Sequence, residues 1–128
     1  MGSMTISART LEITQVAAKA VIEKIGTDLI AIDLSDQLVL SEVFLIATGA
    51  NVAQVDAIAD EVERQLTAIG EKPARREKGA EWILLDYSDL VVHIQSTELR
   101  KYYMLDRLWN DCPTIDLEAV KDAAVHGR

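Results

Sequence analysis

A chain of 128 residues with 49% apolar and 27% charged side chains has enough material for one packed domain and too little for two, and this balance excludes a disordered or fibrous protein. Its net charge of −8 argues against binding bare nucleic acid, where neutralisation of phosphates by Lys and Arg supplies most of the non-specific affinity. No apolar run approaches the roughly 20 residues that span a bilayer, and no basic segment followed by an apolar one opens the chain, so a cytoplasmic protein is expected.

Met1 to Met4 (MGSM) reads as a cloning remnant ahead of a single domain over residues 5–113, with residues 114–128 as a partly flexible tail. Residues 7–25 place Leu11, Ile13, Val16, Ala17, Ala20, Val21 and Ile25 on a helical stripe, and Gly26 is positioned to end that helix. Residues 28–34 form a short apolar run of strand length, and residues 35–37 a turn. A second strand over residues 38–48 is apolar at consecutive positions from Val43 to Ala47, as expected of a strand buried on both faces. Residues 51–69 carry the cleanest amphipathic pattern, with Val52, Val55, Ile58, Ala59, Val62, Leu66 and Ile69 on one side and Gly70 and Pro73 to stop it. The charged stretch 73–78 reads as an edge strand or loop whose charges discourage pairing with other chains.

Two apolar runs then flank Asp86, Tyr87, Ser88 and Asp89 as a hairpin. A loop of two or four residues pairs positions that sum to 175, so that Leu85 meets Leu90, Ile83 meets Val92 and Trp82 meets His93. One face (Ile83, Leu85, Leu90, Val92, Ile94) is aliphatic and belongs to a core. The other carries Trp82, Leu84, Val91 and His93, with Asp86 and Asp89 nearly opposed. Thr97 is placed to cap a helix over residues 98–103, a further helical turn packs Leu105, Leu108 and Trp109, and Pro113 closes the pattern. Two helices, a set of strands and short terminal helices define an α+β (α/β-like) domain, a small mixed sheet with helices packed on it.

The candidate sites admit competing readings. Gly49, between a strand and a helix, serves either as a tight turn or as a weak phosphate cradle; the Walker and dinucleotide glycine patterns are both absent. Asp86 and Asp89 suit turn chemistry, a basic partner, or a hard cation that lacks a third ligand. His93 has no nucleophile at triad spacing, and one cysteine, Cys112, with two histidines, His93 and His126, shows no metal-ligand spacing. Trp82 and Tyr103 serve as core or as interface anchors. Arg75, Arg76 and Lys78 form a solvated rim or touch RNA beside a protein contact.

Five ordered blocks resemble the ribosomal silencing factor family, also called the Iojap or YbeB-like family. They are FLIATG (Phe44 to Gly49), AIAD with VE (Ala57 to Asp60, Val62, Glu63), EW with LDYSD and VVH (Glu81 to His93), the set Arg100, Tyr103, Leu105, Leu108, Trp109, and DCP (Asp111 to Pro113). Ser88 stands where the family commonly has glycine, and Gln95 where an apolar or aromatic residue is frequent. The resemblance implies a degenerate nucleotidyltransferase-like core without enzymatic activity or cofactor. It also implies binding to the large ribosomal subunit through the protein L-fourteen, with a block on subunit joining. Carried onto matching positions, it implies a protein-binding patch of Trp82, Asp86, Asp89, Arg100 and Tyr103; separately from the resemblance, the basic cluster at 75–78 raises a peripheral ribosomal RNA contact and the mixed hairpin face a homodimer as further expectations.

Overall fold

The computed structural model describes residues 6–35, 41–102 and 112–117. Tyr103, the helical turn expected at residues 105–109, the turn at 36–37 and the tail beyond residue 117 lie outside them. The elements are α1 (Ala8–Glu23), β1 (Thr27–Asp33), β2 (Val43–Gly49), α2 (Val52–Ala68), β3 (Arg75–Lys78), β4 (Trp82–Asp86), β5 (Leu90–Ser96) and α3 (Thr97–Tyr102). The strands form one mixed sheet in the order β1-β2-β5-β4-β3, in which β2 and β5 run parallel and the other neighbours antiparallel. Three helices and five strands among the described residues make this the expected α+β domain.

Strand alternation divides the sheet into two surfaces. Ala31, Val43, Leu45, Ala47, Ile83, Leu85, Leu90, Val92 and Ile94 face α1 and α2 and join Ile13, Ala17, Val21, Val55, Ile58, Val62 and Leu66 in the main core. Each Ile or Leu buried there contributes roughly 1.5–3 kcal/mol of transfer free energy, so this layer dominates the stabilisation. A smaller cluster of Ile32, Leu34 and Ile46 lies on the other surface, with Phe44 and Cys112 against it.

The two long helices run antiparallel and complete each other's ends. Arg9, in the first turn of α1, donates to the carbonyl of Ile69 at 2.7 Å and pairs with Glu71 at 3.0 Å. Gln54, in the first turn of α2, donates through its amide to the carbonyls of Lys24 and Ile25, both at 2.9 Å. Carbonyls that a helix leaves unpaired at its C-terminus are thus satisfied across the helix pair.

Several expectations need correction. The α1 stripe excludes Leu11 and Ile25, which are exposed, and includes Thr10, Thr14 and Ala18. Gly26 is not the left-handed residue that ends α1: that conformation falls on Ile25, at φ 62°, while the Gly26 N–H bonds back to Val21 at 2.9 Å. At α2 the corresponding position is Gly70, at φ 91°. The hairpin register is 177 rather than 175: Leu85 pairs with Val92, Ile83 with Ile94 and Trp82 with Gln95. The loop has two residues but sits one position later than the expected register, because Tyr87 and Leu90 bond across it, Tyr87 N–H to Leu90 O at 2.8 Å, leaving Ser88 and Asp89 as the loop. A shift of two residues preserves parity, so the two faces keep their composition.

Tyr87, read as part of the polar turn, is buried in the core. Ser96, not Thr97, caps α3, its Oγ accepting from Leu99 N–H at 3.1 Å, while the Thr97 hydroxyl turns to the carbonyl of Gly49. Beyond Pro113 the chain continues to pack. Asp33 N–H donates to Pro113 O, Ile115 N–H to Ala31 O, and Leu117 is buried, so residues 113–117 extend the sheet past β1.

A candidate protein-docking face

The surface of the sheet turned away from α1 and α2 is a grid set by the register. Across it, Ile32 neighbours Phe44, Phe44 neighbours Val91, Val91 neighbours Asp86, and Asp86 neighbours Arg75. The next rows run Ile30, Ile46, His93, Leu84, Glu77, and then Thr48, Gln95, Trp82. Ile46, Thr48 and Gln95 are buried, whereas Phe44, Val91, Leu84, Trp82 and His93 are only half-buried. A half-buried stripe of aromatic and aliphatic groups with a carboxylate at one end is the composition of an interface rather than of ordinary solvated surface.

Trp82 and His93 are diagonal neighbours, their ring centroids 5.6 Å apart at a 32° tilt, and Phe44 meets His93 edge-on at 6.2 Å. Burial pulls the His93 pKa down to about 4, with the charge of Arg100 adding to the effect. The imidazole is therefore neutral at physiological pH and acts as an aromatic platform. Its Nε2 is buried without a hydrogen-bond partner among the described residues. Arg100 comes from α3 and is held by its Nη1 on the Thr48 hydroxyl at 2.7 Å.

Of the residues expected in the patch, the fold brings Trp82 and Arg100 to the same end, on either side of His93. Asp86 lies four residues along β4 from Trp82, about 13 Å away at strand rise. Its Oδ1 accepts from Ser88 N–H at 2.9 Å and its Oδ2 lies 3.7 Å from an Arg75 nitrogen, so turn chemistry and an intrachain ion pair already engage it. Asp89 sits exposed at the tip of the loop and does not oppose Asp86, which pairs instead with Val91. Tyr103 lies outside the described residues. Sequence reasoning missed Phe44, which it assigned to a doubly buried strand; its parity with Val91 emerges only once β2 is known to run parallel to β5.

The strand-to-helix junction at Gly49 is occupied by its own chain. Asn51 caps α2 by accepting from Gln54 N–H at 2.9 Å, and Gln54 Oε1 accepts from Ala50 N–H at 2.6 Å. Two of the amides that a phosphate would use there, those of Ala50 and Gln54, are already bonded. A Cβ at position 49 would lie 2.9 Å from the Val55 nitrogen, so glycine there serves close helix–strand approach. Arg76 pairs with Asp60 and Glu63, and Lys78 with Asp56, across the helix-facing side of β3. Among the described residues no group of three or more His, Cys, Asp or Glu is placed to hold a metal ion, and no helix is long and apolar enough to cross a membrane.

The family model described as "Ribosomal silencing factor during starvation" matches residues 7–128. The chain belongs to the ribosomal silencing factor family. A ribosomal silencing factor of Halalkalibacterium halodurans is 36% identical over 111 residues, covering 85% of this chain and 95% of the relative. That of Bacillus subtilis is 36% identical over 108 residues, covering 83% and 92%. A crystal structure of a Chromobacterium violaceum protein superposes with a TM-score of 0.75 at 33% identity, covering 84% of this chain and 88% of the other. The ribosomal silencing factor match extends past Pro113, in keeping with the packing of residues 113–117 on β1.

Proposed function

We propose that this ribosomal silencing factor binds the large ribosomal subunit through its L-fourteen protein and, seated there, sterically prevents joining with the small subunit. The observation that carries the reading is the half-buried stripe of Phe44, Val91, Leu84 and Trp82 on the face of the sheet turned away from α1 and α2, framed by Arg100 at one end and Asp86 and Asp89 at the other. Trp82 supplies the apolar anchor, the aspartates accept basic side chains of the partner, and Arg100 adds a directional donor. A basic partner side chain reaching Asp86 replaces or extends the bond with Arg75, an exchange between partly solvated ion pairs that costs little. Tyr103 completes the patch as a rim anchor.

Ribosomal RNA contributes at most at the periphery, because Arg75, Arg76 and Lys78 are matched by carboxylates of their own chain. Calorimetry with purified L-fourteen tests the reading: saturable binding by the wild type, weakened at least tenfold by Trp82→Ala with the melting temperature retained, is expected. No heat at saturating concentrations of either protein overturns the named partner. The competing reading, a nucleotide-binding enzyme, is weakened by the bonded amides of Ala50 and Gln54 beside Gly49, and titration with ATP and magnesium is expected to be silent. If the same face instead mates with a second copy, light scattering will show a dimer that L-fourteen dissociates.

A further inference from the structure

The β3–β4 turn contains a glycine that its backbone does not require. Gly79 donates its N–H to Trp82 O at 2.9 Å and leaves Ala80 and Glu81 as the loop. Its φ lies outside the left-handed region, and the one described glycine with a positive φ is Gly70. A Cβ built on Gly79 would nevertheless fall 2.1 Å from Nε1, 2.3 Å from Cε2 and 2.8 Å from Cδ1 of the Trp82 indole. Those distances are far below van der Waals contact, so the ring rests directly on the main chain at position 79. On the sheet side the indole meets the His93 imidazole at 5.6 Å, itself braced edge-on by Phe44.

We propose that Gly79 is a positioning residue for partner binding: with His93 it clamps the Trp82 indole in one orientation on the docking face, so that the anchor is preformed before the partner arrives. Glycine is the only residue that leaves room for the ring, and even a methyl group forces the indole off His93. A fixed aromatic anchor loses less rotamer freedom on association than a mobile one, which is how a residue outside the contact raises affinity. The inference rests on Trp82 being a contact residue, as argued above.

The test is Gly79→Ala, measured alone and combined with Trp82→Ala, against the large ribosomal subunit. Because the backbone at position 79 accepts an L-residue, the variant is expected to melt close to wild type. In a Trp109→Phe background, leaving Trp82 as the lone indole, its emission maximum and its ring-current effect on the His93 resonances are expected to shift. Affinity is expected to fall about tenfold in the single variant, equivalent to about 1.4 kcal/mol, and Gly79→Ala is expected to have no further effect once Trp82 is Ala. Unaltered Trp82 and His93 signals in Gly79→Ala would overturn the clamp. So would a loss of affinity that persists in the Trp82→Ala background, or wild-type affinity with a displaced ring. If Trp82→Ala itself binds as wild type, the docking reading fails instead, and the spectroscopic shift still reports separately on whether Gly79 seats the ring.

Discussion

Replacing His93 with Phe separates the electrostatic burden of this residue from its packing. In the folded chain the imidazole pKa is about 4, against an ordinary value of 6.5, because burial beneath Trp82 and Phe44 and the nearby Arg100 disfavour the cation. The unfolded chain therefore takes up a proton first as pH falls. Stability associated with His93 is complete above pH 6.5, declines through the window from 6.5 to about 4, and levels off below it. From pH 7.5 to 4.5 the loss amounts to about 2.5 kcal/mol. Phe retains an aromatic platform of similar shape and removes the buried, unpartnered Nε2, so at pH 7.5 the variant is expected to equal or exceed wild type by up to about 1 kcal/mol. Urea melts of both proteins at the two pH values measure the difference, and the carboxylates common to both cancel in the comparison. The gap is expected to widen toward acid by about 2.5 kcal/mol. A gap that is constant with pH would refute the placement of a neutral, desolvated His93 on this face.

Ile25 at φ 62° is exposed and β-branched in a conformation that costs an L-residue roughly 1–2 kcal/mol, so Ile25→Gly is expected to raise stability by about 1 kcal/mol in chemical denaturation. Ser88 at φ 73° occupies the hairpin loop in the same way, and Ser88→Gly is expected to gain a similar or smaller amount while leaving the core untouched. Burial holds the Tyr87 phenol well above its ordinary pKa, and its hydroxyl has no partner among the described residues. Tyr87→Phe is therefore expected to be neutral or stabilising by about 1 kcal/mol, with no change in binding. Asn51→Ala removes the cap of α2 and is expected to cost about 1 kcal/mol by thermal melting, with subunit binding retained.

The fold was legible where a single periodicity dominates. The α2 stripe from Val55 to Leu66 and the alternation through β4 and β5 locate the core because burial on one side leaves a repeat of 3.6 or of 2. Register was less accessible. The tyrosine at position 87 looks polar in a loop between two aspartates, yet its ring is buried and its backbone closes the hairpin, and nothing local marks a tyrosine for the core. Residues 113–117 join β1 through backbone bonds and add only Ile115 and Leu117 to the core, too short an alternation to mark a strand, so the domain appeared to end at Pro113.

The site was legible in part for the same reason. Trp82 and His93 fall on one face by parity, and a two-residue register error leaves them there. Arg100 was found through family resemblance alone, because its seat on Thr48 joins residues 52 positions apart. Asp86 was ambiguous in sequence and is dual in structure, holding the Ser88 amide while facing Arg75. Gly79 carried no signal, since the need for it arises from a ring three residues later.

The central claim is tested most directly by mixing separated ribosomal subunits with increasing amounts of this protein and following joining by light scattering. Wild type is expected to suppress joining in proportion to its occupancy of the large subunit, and Trp82→Ala, folded to the same extent, to require at least tenfold more protein for the same effect. Full joining at saturating wild-type protein would contradict the account.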